Sequence, residues 1–177
     1  RKKIEFLSEI NPNISVFFPL SRRQDIKRLN WDQSTDIRYF NAFSYFYKGY
    51  DENIDLTKMI PAMQNVVQYC ILIALYMGFK EIYLLGTDQT NIFGNLRAYI
   101  SNDISEYAFQ MRKEESEWKH KQLIETSLVD TLRGYARIFE IFDELSDYCK
   151  RMGVELYNCA PETMISGIPK KDFLSLF

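Results

Sequence analysis

The 177-residue sequence contains little of what metal sites and disulfide scaffolds require. It has a single histidine, and its three cysteines, Cys70, Cys149 and Cys159, do not follow a metal-ligand spacing. An odd cysteine number, with Cys70 in an apolar run, favours free thiols in a reducing cytosol. Neither a Walker A pattern nor the glycine-rich dinucleotide fingerprint is present. We therefore expect no bound metal and no cofactor.

A strong charge excess and long apolar runs are also missing. The 22 basic and 24 acidic side chains nearly balance, which argues against a dedicated nucleic-acid binder. The longest apolar run, residues 66–78, is too short to span a bilayer, and no signal peptide is visible, so we expect a cytoplasmic protein. Basic residues 1–3 and 22–23 allow peripheral contact with the inner face of the plasma membrane, although solvated surface charge is the simpler interpretation. A homo-oligomer is compatible with the sequence.

The pattern along the chain predicts a single α/β domain covering residues 1–177. Because the chain begins at Arg1 rather than Met, we expect it to be the C-terminal part of a longer protein. Predicted helices cover residues 2–10, 61–77 (with Pro61 in the first turn), 106–121 and 125–152, and a short one opens at residues 21–25 with Ser21 as its cap. Predicted strands cover 14–20, 80–85 and 154–157, and residues 31–55 are expected to be loop with, at most, one short strand or helix.

This order of elements indicates a Rossmann-like parallel sheet layered between helices. Gly78 and Gly153 are expected to end the two long helices. The second strand reads as buried on both faces because its apolar residues are continuous. The connection at 89–121 is longer than an ordinary loop of such folds, which predicts a helical, lid-like insertion.

Ligands of parallel sheets bind where the strands end, so the polar residues at those ends are the candidate site. Residues 19–21 follow the first strand. The predicted substrate-binding residues are Gln64, Asn65, Gly86, Thr87, Asp88, Thr90, Asn91, Asn158 and Pro161. Asp88 can accept hydrogen bonds from a sugar or ribose, or form a turn or cap for the next segment. The amides of Gln64 and Asn65 can meet a base or phosphate, or cap the helix.

His120 is the natural candidate for a general base. It is the only side chain whose reference pKa lies near neutrality. The alternative is an exposed histidine on an amphipathic helix, and the sequence leaves both open.

Residues 64–88 (QNVVQYCILIALYMGFKEIYLLGTD) resemble a hallmark of bacterial capsule and lipooligosaccharide sialyltransferases and their uncharacterised polysaccharide-biosynthesis relatives. In that group an apolar helix ends in a glycine–aromatic–lysine step and leads into a strand with the pattern IYL.G.D. Residues 153–163 also resemble the closing strand and loop of the group.

The resemblance implies a metal-independent glycosyltransferase that binds a nucleotide-sugar donor, CMP-linked in that family, and transfers the sugar to a cell-surface glycan acceptor. A histidine would deprotonate the acceptor hydroxyl during direct displacement. By position, Asn65 falls at the Thr-Ser-Gly step that meets the cytidine, and Asp88 matches the aspartate after the strand. Thr90 falls where the family has a tyrosine near the phosphate, and His120 at the spacing of the catalytic histidine. The Thr-Ser-Gly step itself is absent here.

Two alternatives stay open beside this interpretation. The chain is compatible with another nucleotide-binding α/β protein, such as the diphosphokinase-like proteins that share a strand-and-aspartate pattern. It is also compatible with a non-catalytic, degenerate relative used for binding or assembly.

Overall fold

The computed structural model describes residues 14–28, 36–97, 99 and 125–176, and every structural statement below refers to these. The helices predicted at 2–10 and 106–121, and with them His120 and most of the lid-like insertion, lie outside the described residues. The described chain is mixed α/β, with small parallel sheets and one long helix, as predicted at that level. It divides into two compact units, Arg1–Tyr47 with Asp51–Met63, and Lys48–Tyr50 with Gln64–Phe177.

The first unit is built on a parallel sheet in the order β1-β2-β3. The strands are β1 (Ser15–Pro19), β2 (Asp36–Ser44) and β3 (Met59–Pro61). β1 pairs with β2 from Ser15↔Asp36 to Pro19↔Phe40. A 3-10 turn (Leu20–Arg22) and helix α1 (Arg23–Arg28) follow β1.

Two local predictions in this unit are wrong, and one is confirmed only in part. The loop predicted for residues 31–55, with at most one short strand or helix, contains a nine-residue strand at 36–44. The pattern of these residues alternates only weakly, and the strand is stabilised by pairing with β1 along residues 36–40 and with β3 along residues 41–44. Pro61 ends the sheet's edge strand β3, a place where its missing N–H is tolerated, instead of opening a helix. A short helix is present here as predicted, but Ser21 does not cap it and lies inside the preceding 3-10 turn, whose N-cap is Pro19.

Three further α-helices lie in the part of the second unit that the structure describes. They are α2 (Val66–Tyr76), α3 (Asn91–Arg97) and α4 (Leu128–Arg151). Asn65 caps α2, and Ser127 caps α4 by accepting a hydrogen bond from the backbone N–H of Asp130 at 3.1 Å. The predicted glycine ends are confirmed, since Gly78 and Gly153 have φ of 83° and 65° beyond the last helical turns.

The sheet of this unit pairs β4 (Glu81–Leu84) with β5 (Glu155–Asn158) in parallel and in register. The two strands carry nearly the same pattern, EIYL and ELYN, and show the same alternation of buried and more exposed positions. On the more exposed face Tyr83 stacks on Tyr157 with ring centroids 5.7 Å apart, and the Lys171 ammonium lies 4.4 Å from the Tyr157 centroid. The prediction that β4 is buried on both faces is therefore wrong.

Helix α4 contacts α2 and β5, and its C-terminal half supplies much of the core of this unit. The fully buried apolar side chains are Ile71, Leu72, Ile141, Phe142, Leu145, Tyr148, Ile165 and Ile168. Leu128 and Leu132, which the helical spacing also predicts as core, are each 44% exposed. Periodicity identifies the apolar face of a helix, but it does not tell how far along that face a neighbour extends. No helix in the described residues has the length and apolarity needed to cross a membrane.

Candidate functional site

The segments that leave β4 and β5 meet beyond the ends of the two strands. The Cys159 N–H donates to the Leu84 carbonyl at 2.9 Å, which continues the parallel ladder by one bond. Further on, the Met164 N–H donates to the Asp88 carbonyl, also at 2.9 Å. The structure thus brings two of the predicted ligand-binding segments together, residues 86–91 and residues 158–161.

Two residues in the left-handed region of φ shape the loop after β4. Gly86 has φ of 63°, and Gln89 has φ of 59°. The conformation suits glycine, but it is uncommon for a residue with a side chain and needs support from its surroundings. Asp88 lies between the two residues, so a specific backbone path determines where its carboxylate points.

Asp88 is exposed and forms an Asx turn. Its Oδ1 accepts from the Thr90 N–H at 2.9 Å and lies 3.1 Å from the Thr90 hydroxyl. Asn91 then starts helix α3 and is exposed. The turn interpretation that the sequence left open is present in the structure. Because the described contacts of this carboxylate all use Oδ1, they leave Oδ2 able to accept a hydrogen bond from a ligand hydroxyl.

Asn158 is completely buried at the end of β5. Its Nδ2 donates to the Thr87 carbonyl and to the Thr163 hydroxyl, both at 3.0 Å, while its Oδ1 accepts from the Ala160 N–H at 3.0 Å. Both N–H donors of the side-chain amide are therefore used within the protein, and its oxygen accepts one hydrogen bond. Thr87 is also buried, with 4% of its surface exposed. Of the predicted residues in these segments, Asp88, Asn91, Gly86 and Pro161 are exposed to solvent.

Thr163 is a residue that the sequence reasoning missed. Its hydroxyl lies 3.0 Å from the Thr87 carbonyl oxygen and 3.4 Å from that of Asp88, and it accepts from the Ile165 N–H at 3.1 Å. No pattern in the sequence indicates this role, because it depends on residues 159–164 folding back onto the loop after β4.

Gln64 and Asn65 are used at the start of α2. The Asn65 Oδ1 accepts from the Gln68 N–H at 3.0 Å, and the Gln68 Oε1 accepts from the Gln64 N–H at 3.0 Å. This is close to a capping box, a spacing of cap residue and glutamine that could have been recognised in the sequence. Gln68 is fully buried, and its Nε2 donates to the Ile138 carbonyl of α4 at 2.9 Å.

The Asn65 Nδ2, unlike the Oδ1, takes no part in this cap. It is buried and has no hydrogen-bond partner among the described residues. A buried donor without a partner is costly, so it is a place where a ligand or water oxygen would be favourable. Gln64 itself is exposed.

The first unit contains a second Asx turn of the same D-x-T sequence. The Asp55 Oδ1 accepts from the Thr57 N–H at 2.9 Å and from the Thr57 hydroxyl at 2.6 Å. The hydrogen bond from the Thr57 hydroxyl has the largest effect on the Asp55 carboxyl, and together with the one from the N–H it holds the pKa of this carboxyl below its usual value. Asp55 precedes β3 instead of following a strand of the predicted site, so it provides an internal comparison for Asp88.

Of the three cysteines, Cys159 lies in the segment after β5 and is buried. Burial raises the pKa of the Cys149 thiol to about 12, and it also raises the pKa of Cys70. No group of three or more His, Cys, Asp or Glu side chains within the described ranges has a metal-binding arrangement.

Comparison of the chain with protein-family sequence models, with curated proteins and with solved structures gave no match. The interpretation of the site therefore depends on its own residues and geometry.

Proposed function

We propose that the chain is the nucleotide-sugar-binding part of a metal-independent glycosyltransferase of the sialyltransferase kind, with a CMP-linked sugar as donor and a cell-surface glycan as acceptor. The observation that carries the proposal is the exposed Asp88 carboxylate, held just beyond the carboxyl end of β4. Ligands of parallel α/β sheets bind at this edge. An oriented carboxylate oxygen is a suitable acceptor for a ribose or sugar hydroxyl.

The start of α2 supports the same proposal. The first N–H groups of a helix favour an anion such as a phosphate, and Asn65 adds a buried amide donor without a partner among the described residues. In the sialyltransferases that the sequence resembles, the corresponding position meets the cytidine. We propose that Asn65 and Gln64 contribute to nucleotide binding while Asn65 also caps the helix.

The finer fold assignment belongs to this proposal as well. Every strand pair in the described residues is parallel, as a Rossmann-like sheet layered between helices requires. His120 is proposed as the general base on the grounds of its chemistry and its spacing from Asp88. Location in the cytoplasm, with contact at the inner face of the plasma membrane, is the setting that such an acceptor implies.

A thermal-shift panel with CMP, CDP, UDP, GDP and ATP tests the proposal. A ligand that binds only the folded chain raises its stability, by about 2.7 kcal/mol at a hundred times its Kd. We expect CMP to raise the melting temperature, and ATP at the same concentration to leave it unchanged. A response to ATP alone would favour the diphosphokinase-like alternative, and no response to any nucleotide would favour a non-catalytic relative.

A further inference from the structure

The carbonyl groups of Thr87 and Asp88 are held by Asn158, the last residue of β5, and by the segment that follows it. Asn158 Nδ2 and the Thr163 hydroxyl both lie 3.0 Å from the Thr87 carbonyl oxygen, and the same two groups lie 3.0 Å from each other. The three groups form a closed triangle of hydrogen-bonding contacts. The Met164 N–H holds the next carbonyl, that of Asp88, at 2.9 Å.

These contacts lie where the regular strand pairing no longer supports the chain. The last ladder bond joins Cys159 to Leu84, four residues before Asp88. Between them the backbone enters the left-handed region at Gly86, and it does so again at Gln89 just after Asp88. A glutamine holds this conformation only when neighbouring groups fix it, and such fixed loops are common at ligand sites.

We propose that Thr163 is a positioning residue for ligand binding. Its hydroxyl fixes the peptide that precedes Asp88 and so determines where the Asp88 carboxylate points, with Asn158 buried beneath it as a second support. The inference depends on the proposed function, since it assigns the ligand contact to Asp88. It also gives Asn158 a supporting role, because the amide of this residue is bonded to Thr87, Thr163 and Ala160.

The physical reason is that a hydrogen bond to a ligand hydroxyl requires close alignment. Productive geometry has to be held within roughly 0.5 Å and 10–20° by supporting contacts. The side chain of Asp88 already has one oxygen fixed by Thr90. Fixing the preceding peptide as well leaves the second oxygen with a defined direction before the ligand arrives.

Thr163→Val and Thr163→Ser separate the hydroxyl from the shape of the side chain. Valine keeps the shape and removes the hydroxyl, whereas serine keeps the hydroxyl. We expect Thr163→Val to weaken CMP binding at least tenfold by calorimetry, and Thr163→Ser to restore affinity to within about threefold of wild type. Thr57→Val is the matched control, because it removes a threonine hydroxyl from the Asp55 turn, and we expect it to leave CMP affinity unchanged.

Two further measurements separate positioning from loss of stability. Affinity is measured well below each variant's melting temperature, where a residue that only stabilised the fold would leave the Kd of the folded chain unchanged. Hydrogen exchange of residues 85–90 without nucleotide should become faster in Thr163→Val and return towards wild type in Thr163→Ser.

Unchanged CMP affinity in Thr163→Val would overturn the inference. If wild type does not bind CMP, the proposed function and the ligand role of Thr163 both fail, while the exchange data still report on the loop contact.

Discussion

Asn65 and Gln68 illustrate how the amides at the start of α2 serve the fold. Each of the two side chains accepts a hydrogen bond from a backbone N–H near the first turn, and the buried Gln68 also reaches a carbonyl of α4. Capping was one of the two interpretations that the sequence left open for Asn65. The contact from Gln68 to α4 was not predictable, because it joins residues 70 positions apart in the chain.

We expect Gln68→Leu to lower the free energy of unfolding by about 1–3 kcal/mol. Leucine keeps most of the volume, but it leaves the Gln64 N–H without the acceptor that it has in the described structure. Urea denaturation measures the change. Asn65→Ser is the control, since serine retains an oxygen that can cap the helix, and it should cost only a few tenths of a kcal/mol. A loss in Gln68→Leu no larger than that of the control would show that the buried amide contributes little.

His120 is the proposed general base. If it deprotonates the acceptor hydroxyl, turnover should rise with pH through roughly 6 to 7, where an ordinary imidazole loses its proton. His120→Ala should reduce turnover at least a hundredfold and leave CMP affinity unchanged, whereas Lys119→Ala should change neither. Steady-state rates across pH test both points. A variant that retained its rate and pH profile would assign the proton transfer to another group.

Among the elements of the described chain, the strongest sequence patterns predicted two helices and three strands correctly. The helices α2 and α4, the strands β1, β4 and β5, and the glycines that end the two long helices all follow from local sequence. The sequence allowed only one short element where β2 lies and did not predict β3, because the stability of these strands comes from pairing with each other and with β1. The sequence also predicted that the loops after β4 and β5 are neighbours. It gave no sign of Thr163, because the contacts of this residue depend on residues 159–164 folding back onto the loop after β4.

Two glycines, one inside α4 and one just after it, test whether the end of this helix follows from local sequence. Gly153 has φ of 65° after the helix end, whereas Gly134 lies inside the helix, and an added Cβ would meet no atom within 4 Å at either position. Gly153→Ala should destabilise the protein by about 1–2 kcal/mol, since the left-handed conformation is costly for alanine. Gly134→Ala should stabilise it by about 0.5–1 kcal/mol. Chemical denaturation of both variants measures the difference, and equal effects would contradict the assigned backbone conformations.

In the molecule as a whole, the proposed nucleotide-sugar site depends on the position of one carboxylate, that of Asp88. Asp88 and Asp55 form Asx turns of the same D-x-T sequence, so both contribute to local structure in the same way. Only Asp88 lies just beyond a strand of the proposed nucleotide-sugar site, in a loop held by Asn158 and Thr163 through its backbone. If Asp88 binds the ligand, its substitution should weaken CMP binding, whereas substitution of Asp55 should not. If both residues only form turns, the two substitutions should have the same effect.

The most direct measurement is the CMP affinity of the wild-type chain, Asp88→Asn and Asp55→Asn by calorimetry. Asparagine keeps an oxygen for the turn but removes the charge, so both variants should melt within a few degrees of wild type. We expect Asp88→Asn to lose at least tenfold in affinity, a change of about 1.4 kcal/mol, and Asp55→Asn to bind as wild type does. Equal affinity in Asp88→Asn and wild type would contradict the proposed site, and leave Asp88 as a turn residue like Asp55.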